Sequence, residues 1–193
     1  MPICEFCHKT LKTEKGFQNH MCTKKKRFIE FNEPAYYVWL LIHNIFHLHL
    51  PDDSKKKMTF INDTLYEKIC DFTKWVLETD VINLYEYLMF LKTNNVKIND
   101  WKNSRNYHIW LVSYLRGESD AIAIERSVKY LNKHEYNIND ISINRMYMLI
   151  MYGHISVKYL KSIQYDFTQF DEQQLKNLEP YIFSMEEILN KRL

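Results

Sequence analysis

The sequence predicts an all-α protein, with a multi-helix body over residues 28–193 behind a small metal-ligating module over residues 1–27. Three observations carry that prediction. Three glycines and four prolines in 193 residues supply few turn-formers for β-hairpins. Leu, Lys, Glu, Met and Tyr recur at steps of three and four, the spacing of a helix face. Cys4 and Cys7, then twelve residues, then His20 and Cys22 place four soft donors in a segment too short to build a core of its own.

The module comes first in the chain. Two cysteines separated by two residues turn a tight knuckle, so that both thiolates reach one ion at about 2.3 Å without strain. With His20 and Cys22 they form a complete tetrahedral set, and the expectation is one structural Zn2+ on Cys4, Cys7, His20 and Cys22. Thr13 is a candidate N-cap and Glu14 suits the first turn, which predicts a helix over 14–20 with Phe17 and His20 on one face. Positions two apart on a helix point about 200° away from each other, so that helix has to end near His20 or Met21 for Cys22 to return to the ion. His8 is the local competitor for a ligand place. Leu11 and Phe17 stand where so small a module would put its only two large apolar side chains.

Cys4-x2-Cys7-x3-Leu11-x5-Phe17-x2-His20 resembles the Cys2His2 zinc-finger family over residues 2–22, with the aromatic and the leucine exchanged and Cys22 as the last ligand in place of a more distant histidine. The resemblance implies a ββα-type finger. It also implies that the base-touching positions fall on Thr13, Lys15, Gly16 and Asn19. Gly16 has no side chain to reach a base edge, and Asn19 suits adenine.

The body follows. Apolar periodicity predicts helices over 34–49, 61–78, 80–93, 99–116, 119–134, 141–152, 155–163 and 171–190. Asp80, Ser119 and Asp140 are candidate caps, and Gly153 is a candidate stop. Two linkers are expected. Residues 23–27 join module to body; in 51–58, Pro51, two aspartates and a serine break the pattern before Lys55, Lys56 and Lys57. No internal repeat and no low-complexity tract is legible. Tyr36, Trp39, Leu40, His43 and His47 share one side of the first body helix, as do Phe72, Trp75 and Val76 on the second. Such stripes mark core, with an exposed partner groove or base-stacking surface as the other use.

Charge is distributed unevenly. Residues 1–30 hold seven basic side chains against three glutamates, +4, whereas the rest of the chain has 19 basic against 21 acidic, −2. The positive field belongs to the module and to Lys24, Lys25, Lys26 and Arg27 directly after the last ligand. With Lys15 and Asn19 these are the candidate nucleic-acid contacts, since clustered cations displace counterions from phosphates. A solvated charge run is the other reading. Once three of the four cysteines are assigned to the metal site, only Cys70 remains, so no disulfide framework exists and a reducing, intracellular compartment is expected. The longest apolar run, residues 35–42, is far short of the ~20 residues that span a bilayer, and the N-terminus does not resemble a secretory signal.

Other constellations are weak. His43 and His47 are four apart on a helix, a spacing that holds metals, yet the adjacent glutamate of a zincin is missing. Arg116, Arg126 and Arg145 have Glu118, Asp120 and Glu125 nearby as ion-pair partners. The sequence contains no P-loop, dinucleotide turn or nucleophile elbow, so an enzyme is not expected, nor a small-molecule substrate. A single finger, a basic joint and a helical body, with Val81-Ile-Asn-Leu-Tyr-Glu-Tyr-Leu, Asn99-Asp-Trp101 and Tyr152-Gly-His-Ile-Ser156, resemble small zinc-finger-headed proteins of large tailed bacteriophages, which implies a viral setting in a host cytoplasm. A looser resemblance, to the helical core-binding domain of tyrosine recombinases, implies DNA clamping without the catalytic domain. The expected function is non-catalytic binding of DNA or RNA backbone, with the body engaging a protein of a replication, transcription or packaging machine. The alternative is an adaptor or inhibitor that uses the finger as a protein-docking knob.

Overall fold

The computed structural model describes residues 1–181. Among them the chain is mostly helical: α1 Glu14–Gln18, α2 Thr23–Ile29, α3 Glu33–Ile45, α4 Asp53–Asn62, α5 Tyr66–Thr79, α6 Leu84–Thr93, α7 Ser104–Arg116, α8 Asp120–Lys133, α9 Ile143–Met151, α10 Val157–Ser162 and α11 Glu172–Leu178. The predicted helix over 171–190 is seen as α11; residues 182–190 lie outside the described residues. The described residues divide into two compact units, one of residues 1–78 and 88–99, the other of 79–87 and 100–181.

Both expected linkers are helices. Residues 23–27 belong to α2, because Lys and Arg are good helix formers and the Cys22 sulfur accepts the Lys25 N–H at 3.4 Å as an N-cap. Residues 53–58 belong to α4. Pro51 precedes that helix rather than interrupting it, and Asp53 in its first turn pairs with Lys56 at 2.6 Å. In the first unit, Ala35, Val38, Trp39, Ile42 and Ile45 of α3 bury one face together with Phe60 and Ile61 of α4 and Ile69 and Phe72 of α5. Trp39 is fully buried and its indole N–H donates to Asp63 at 2.7 Å. Of the two stripes, Trp39, Phe72 and Val76 are core, Tyr36, Leu40, His43 and Trp75 are half-buried, and His47 is exposed.

In the second unit α7 buries Tyr107, Trp110, Leu111 and Leu115. Helix α8 packs against α10 and α9 against α11. Ser119 caps α8 as expected. Asp140 instead lies in a 3-10 turn, Ser142 caps α9, and Asp80 takes a left-handed φ of +48° while pairing with Lys133 at 2.9 Å. Gly153, at φ +78°, ends α9; a Cβ there would stand 2.8 Å from a Leu111 methyl.

An internal repeat that the sequence conceals is plain in the backbone. Asn95, Glu135 and Gln164 each take a left-handed φ of +50 to +57° just beyond a helix. The next residue, Val96, Tyr136 or Tyr165, donates its N–H to Leu91, Leu131 or Leu160 five positions back. A 3-10 turn follows in each case, Ile98–Asp100, Ile138–Asp140 and Phe167–Gln169, then a large apolar residue, Trp101, Ile141 or Phe170, and then the N-cap Asn103, Ser142 or Asp171. The passage recurs three times, with Ile-Asn-Asp identical in two copies. It escapes notice in the sequence because side-chain identity repeats only in part, in the leucine acceptor and in one shared tripeptide, while the backbone geometry repeats throughout.

Candidate metal centre

Four donors from three stretches of chain meet at the N-terminus. The knuckle is closed by Cys4, whose N–H donates to the Lys9 carbonyl at 3.0 Å and whose carbonyl accepts the His8 N–H at 2.8 Å; His8 turns the corner at φ +58°. The ββα-type finger is corrected here. Among the described residues there is no strand, only an isolated antiparallel bridge between Ile3 and Thr10. The arms flanking the knuckle are a few residues long, too short for a ladder beyond that one pair.

Thr13 caps α1, its hydroxyl accepting the Gly16 N–H at 3.0 Å. The helix ends at Gln18, earlier than predicted, and the His20 N–H donates to the Phe17 carbonyl at 3.1 Å, so His20 projects from the exit turn. Two residues later Cys22 stands at the N-terminus of α2. That early stop removes the geometric obstacle to a ligand pair separated by one residue. One donor atom each from Cys4, Cys7, His20 and Cys22 lies within 4.8 Å of all the others. Cys4 Sγ is 4.0 Å from Cys22 Sγ, and Cys7 Sγ is 3.3 Å from His20 Nε2. His8 is exposed and outside the group. Cys4 and Phe6 are buried, whereas Leu11 and Phe17 are only half-buried, so Phe6 takes the place the expected pair would have filled.

Backbone amides favour thiolate at this corner. The Cys7 N–H directed at Cys4 holds its thiol below the ordinary value against the opposing pull of burial. At Cys7 the Lys9 amide acts in the same sense, but burial and the neighbouring sulfurs together push that thiol up. Three sulfurs and an imidazole at these separations can hold one metal ion.

The basic flank divides by role. Arg27 is 20% exposed at its side chain: one nitrogen donates to the Ile61 carbonyl at 3.1 Å, another to Glu67 at 2.7 Å, and the guanidinium lies 4.2 Å from the centre of the Tyr66 ring. It is a clamp joining α2 to α4 and α5, and it is withdrawn from the set of free cations. Burial pushes the Tyr66 hydroxyl up to about 12 and also raises the Cys70 thiol beside it. Lys26 sits 3.9 Å from Glu30. Lys24 and Lys25 are half-buried along their stems and, among the described residues, engage no carboxylate; Lys15 and Asn19 are exposed on and just after α1. Helix α2 packs against α4, which carries Lys55, Lys56 and Lys57; Lys57 lies 5.0 Å from the Phe31 ring centre. Sequence reasoning missed Phe28, whose ring sits 5.1 Å from that of Phe6; its position on a helix of cations becomes visible only once α2 is known to be a helix.

The remaining candidates disperse. His43 lies against Trp39 with ring centres 4.2 Å apart and planes tilted by 47°, and faces Asp63 at 3.8 Å, while His47 ends the α3 turn at φ +53°, so the two do not converge. In the second unit, Arg126 grips Glu118 with two nitrogens at 2.7 and 2.9 Å and donates to the Gly153 carbonyl, and Arg145 donates to the Tyr136 hydroxyl at 3.0 Å. No helix among the described residues is long and apolar enough to cross a membrane. No family model, curated protein or solved structure matches the chain.

Proposed function

We propose that this chain is a non-catalytic nucleic-acid-binding accessory protein, with Cys4, Cys7, His20 and Cys22 holding one structural zinc ion. The observation that carries the reading is the placement of α2. It begins at the last candidate ligand and packs against α4, so Lys24, Lys25 and Lys26 stand on one helix and Lys55 and Lys57 on its neighbour. Cations on adjacent helices suit the phosphates of DNA or RNA, which release counterions on binding. The donor set favours zinc over harder cations, because thiolate and imidazole ligands at tetrahedral spacing are its preferred company. The helical body serves in this reading as the platform for a protein of a replication, transcription or packaging complex, in the phage setting that the resemblance suggests.

The test has two arms. Elemental analysis of the full-length protein should give one zinc per chain, and a stoichiometry near zero after metal-replete expression removes the metal reading. Binding to duplex DNA should be weakly dependent on sequence and steeply dependent on salt, with a log–log slope of about −3 to −4.5 for roughly three to five phosphate contacts. Replacing Lys24, Lys25 and Lys26 by Ala, leaving the Arg27 clamp intact, should flatten the slope and weaken all sequences alike, while Asn19→Ala should shift preference only slightly. Unchanged affinity in the triple variant supports the adaptor instead. Of the stripes that would serve that alternative, Trp39, Phe72 and Val76 are buried, Tyr36, Leu40, His43 and Trp75 are half-buried and His47 is exposed.

A further inference from the structure

Lys24, Lys25 and Phe28 are related by steps of three and four on α2, so they share a face, while Arg27 turns away to Tyr66 and Glu67. Phe28 is 45% exposed even though its ring leans on Phe6 of the knuckle. It is an aromatic ring braced on one side and open on the other, beside two lysines that engage no carboxylate among the described residues. The adjacent Ile29 is 60% exposed, which extends the apolar surface. Burying such a ring against a neutral protein surface would bring the lysines into the same dry interface, at the cost of desolvating them. A polyanion with exposed base faces satisfies both at once.

We infer that this surface binds single-stranded nucleic acid, with Phe28 stacking on one unpaired base and Lys24 and Lys25 taking the flanking phosphates. The inference rests on the nucleic-acid reading above and narrows it to one substrate class. In a duplex the base faces are already stacked on one another and offer nothing to a ring; in a single strand every base has a free π-face. Contacts to phosphate and base face do not read the sugar, so deoxyribose and ribose strands should bind alike.

Fluorescence anisotropy on the full-length, zinc-loaded protein tests this with three probes: an oligo-dT strand, an oligo-U strand of equal length, and a duplex hairpin of equal charge. Both single strands should bind alike and more tightly than the hairpin. Phe28→Ala should weaken single-strand binding roughly 10-fold and duplex binding little, with metal content unchanged. Phe28→Trp should retain affinity. If Phe28→Ala loses metal because the brace on Phe6 is gone, Phe28→Leu keeps an apolar contact there without a π-face and should still show the selective loss. Lys24→Ala with Lys25→Ala should weaken both forms and reduce the single-strand salt slope by about 1.4. Equal losses on strand and hairpin, or no loss in the Leu variant, overturn the inference while leaving nucleic-acid binding standing. Failure of all three probes at low salt removes both readings.

Discussion

The metal knuckle and the helical passages of the second unit both reverse the chain through a residue with positive φ, but different forces hold the turns closed. In the knuckle the corner is His8, and of residues 1–22 only Cys4 and Phe6 are buried. In the second unit the corners are Glu135, Gly153 and Gln164; the helices they join bury Leu131, Leu149 and Leu160, and Gly153 sits against Leu111 of α7. The first turn has almost no apolar area to offset the entropy of ordering it, and its four donors could supply that free energy by holding an ion. The second has enough. On the proposed metal reading one turn rests on a ligand and the other on packing, and their responses to perturbation should diverge accordingly.

The largest separation should come from chelation. Structural zinc binding is worth on the order of 10 kcal/mol, so under the proposed zinc reading a chelator, or Cys4→Ser, should expose the amides of residues 1–29 to fast hydrogen exchange. Helix α2 is included because its N-cap is Cys22. Amides of α7 to α9 should stay protected; loss of protection there would mean that the two regions fold as one.

Acid should act in the opposite direction. His154 is 6% exposed and stacks on Tyr130 at 4.3 Å; burial lowers its imidazole to about 4, with Asp80 pulling weakly the other way. An ordinary histidine titrates near 6.5. Between about 6.5 and about 4 the unfolded chain therefore binds a proton that the folded unit refuses, so the stabilisation is present above that window and is lost as pH falls through it, by at most about 3 kcal/mol. His108, lowered by burial, acts in the same sense. Denaturant midpoints taken across this range should fall with pH, and His154→Gln should flatten the curve; an equal slope in the variant would assign the effect to other groups.

Gly153→Ala probes the packed corner alone. Its Cβ would meet Leu111 at 2.8 Å with φ at +78°, so a loss of about 2 kcal/mol is expected in the thermal midpoint of the second unit, with metal content untouched. Smallest is Glu135→Gly. Replacing a side chain at φ +53° by glycine relieves local strain at some cost in chain entropy, for a net gain of about 0.5 kcal/mol. A loss there would show that the Glu135 side chain has a role beyond its backbone.

Much of this was legible in the residues. Sparse glycine and proline with three-four periodicity fixed the helical class, and the cysteine spacing picked out a donor cluster that the structure brings together. Ser119 and Gly153 read as helix boundaries because cap and stop chemistry is local. The misreadings share a cause. Residues 23–27 and 55–57 look like solvated charge runs, yet lysine and arginine are good helix formers, and neighbouring side chains decide whether such a run folds. Arg27 reads as one more free cation until Ile61, Tyr66 and Glu67, thirty or more positions away, close around it. The ββα expectation failed because a resemblance in ligand spacing carries no information on the length of the arms.

What the sequence determined by itself was therefore whatever depends on near neighbours: the helical class, the Ser119 cap, the Gly153 stop and a cluster of four donors that could hold a metal. Tertiary structure decided which cations stay free, which aromatic ring stays exposed, and that one helix-to-helix passage recurs with only part of its side-chain pattern kept. Those properties depend on which distant groups meet. Long-range contacts set burial and charge pairing, whereas local periodicity sets only the elements that make those contacts.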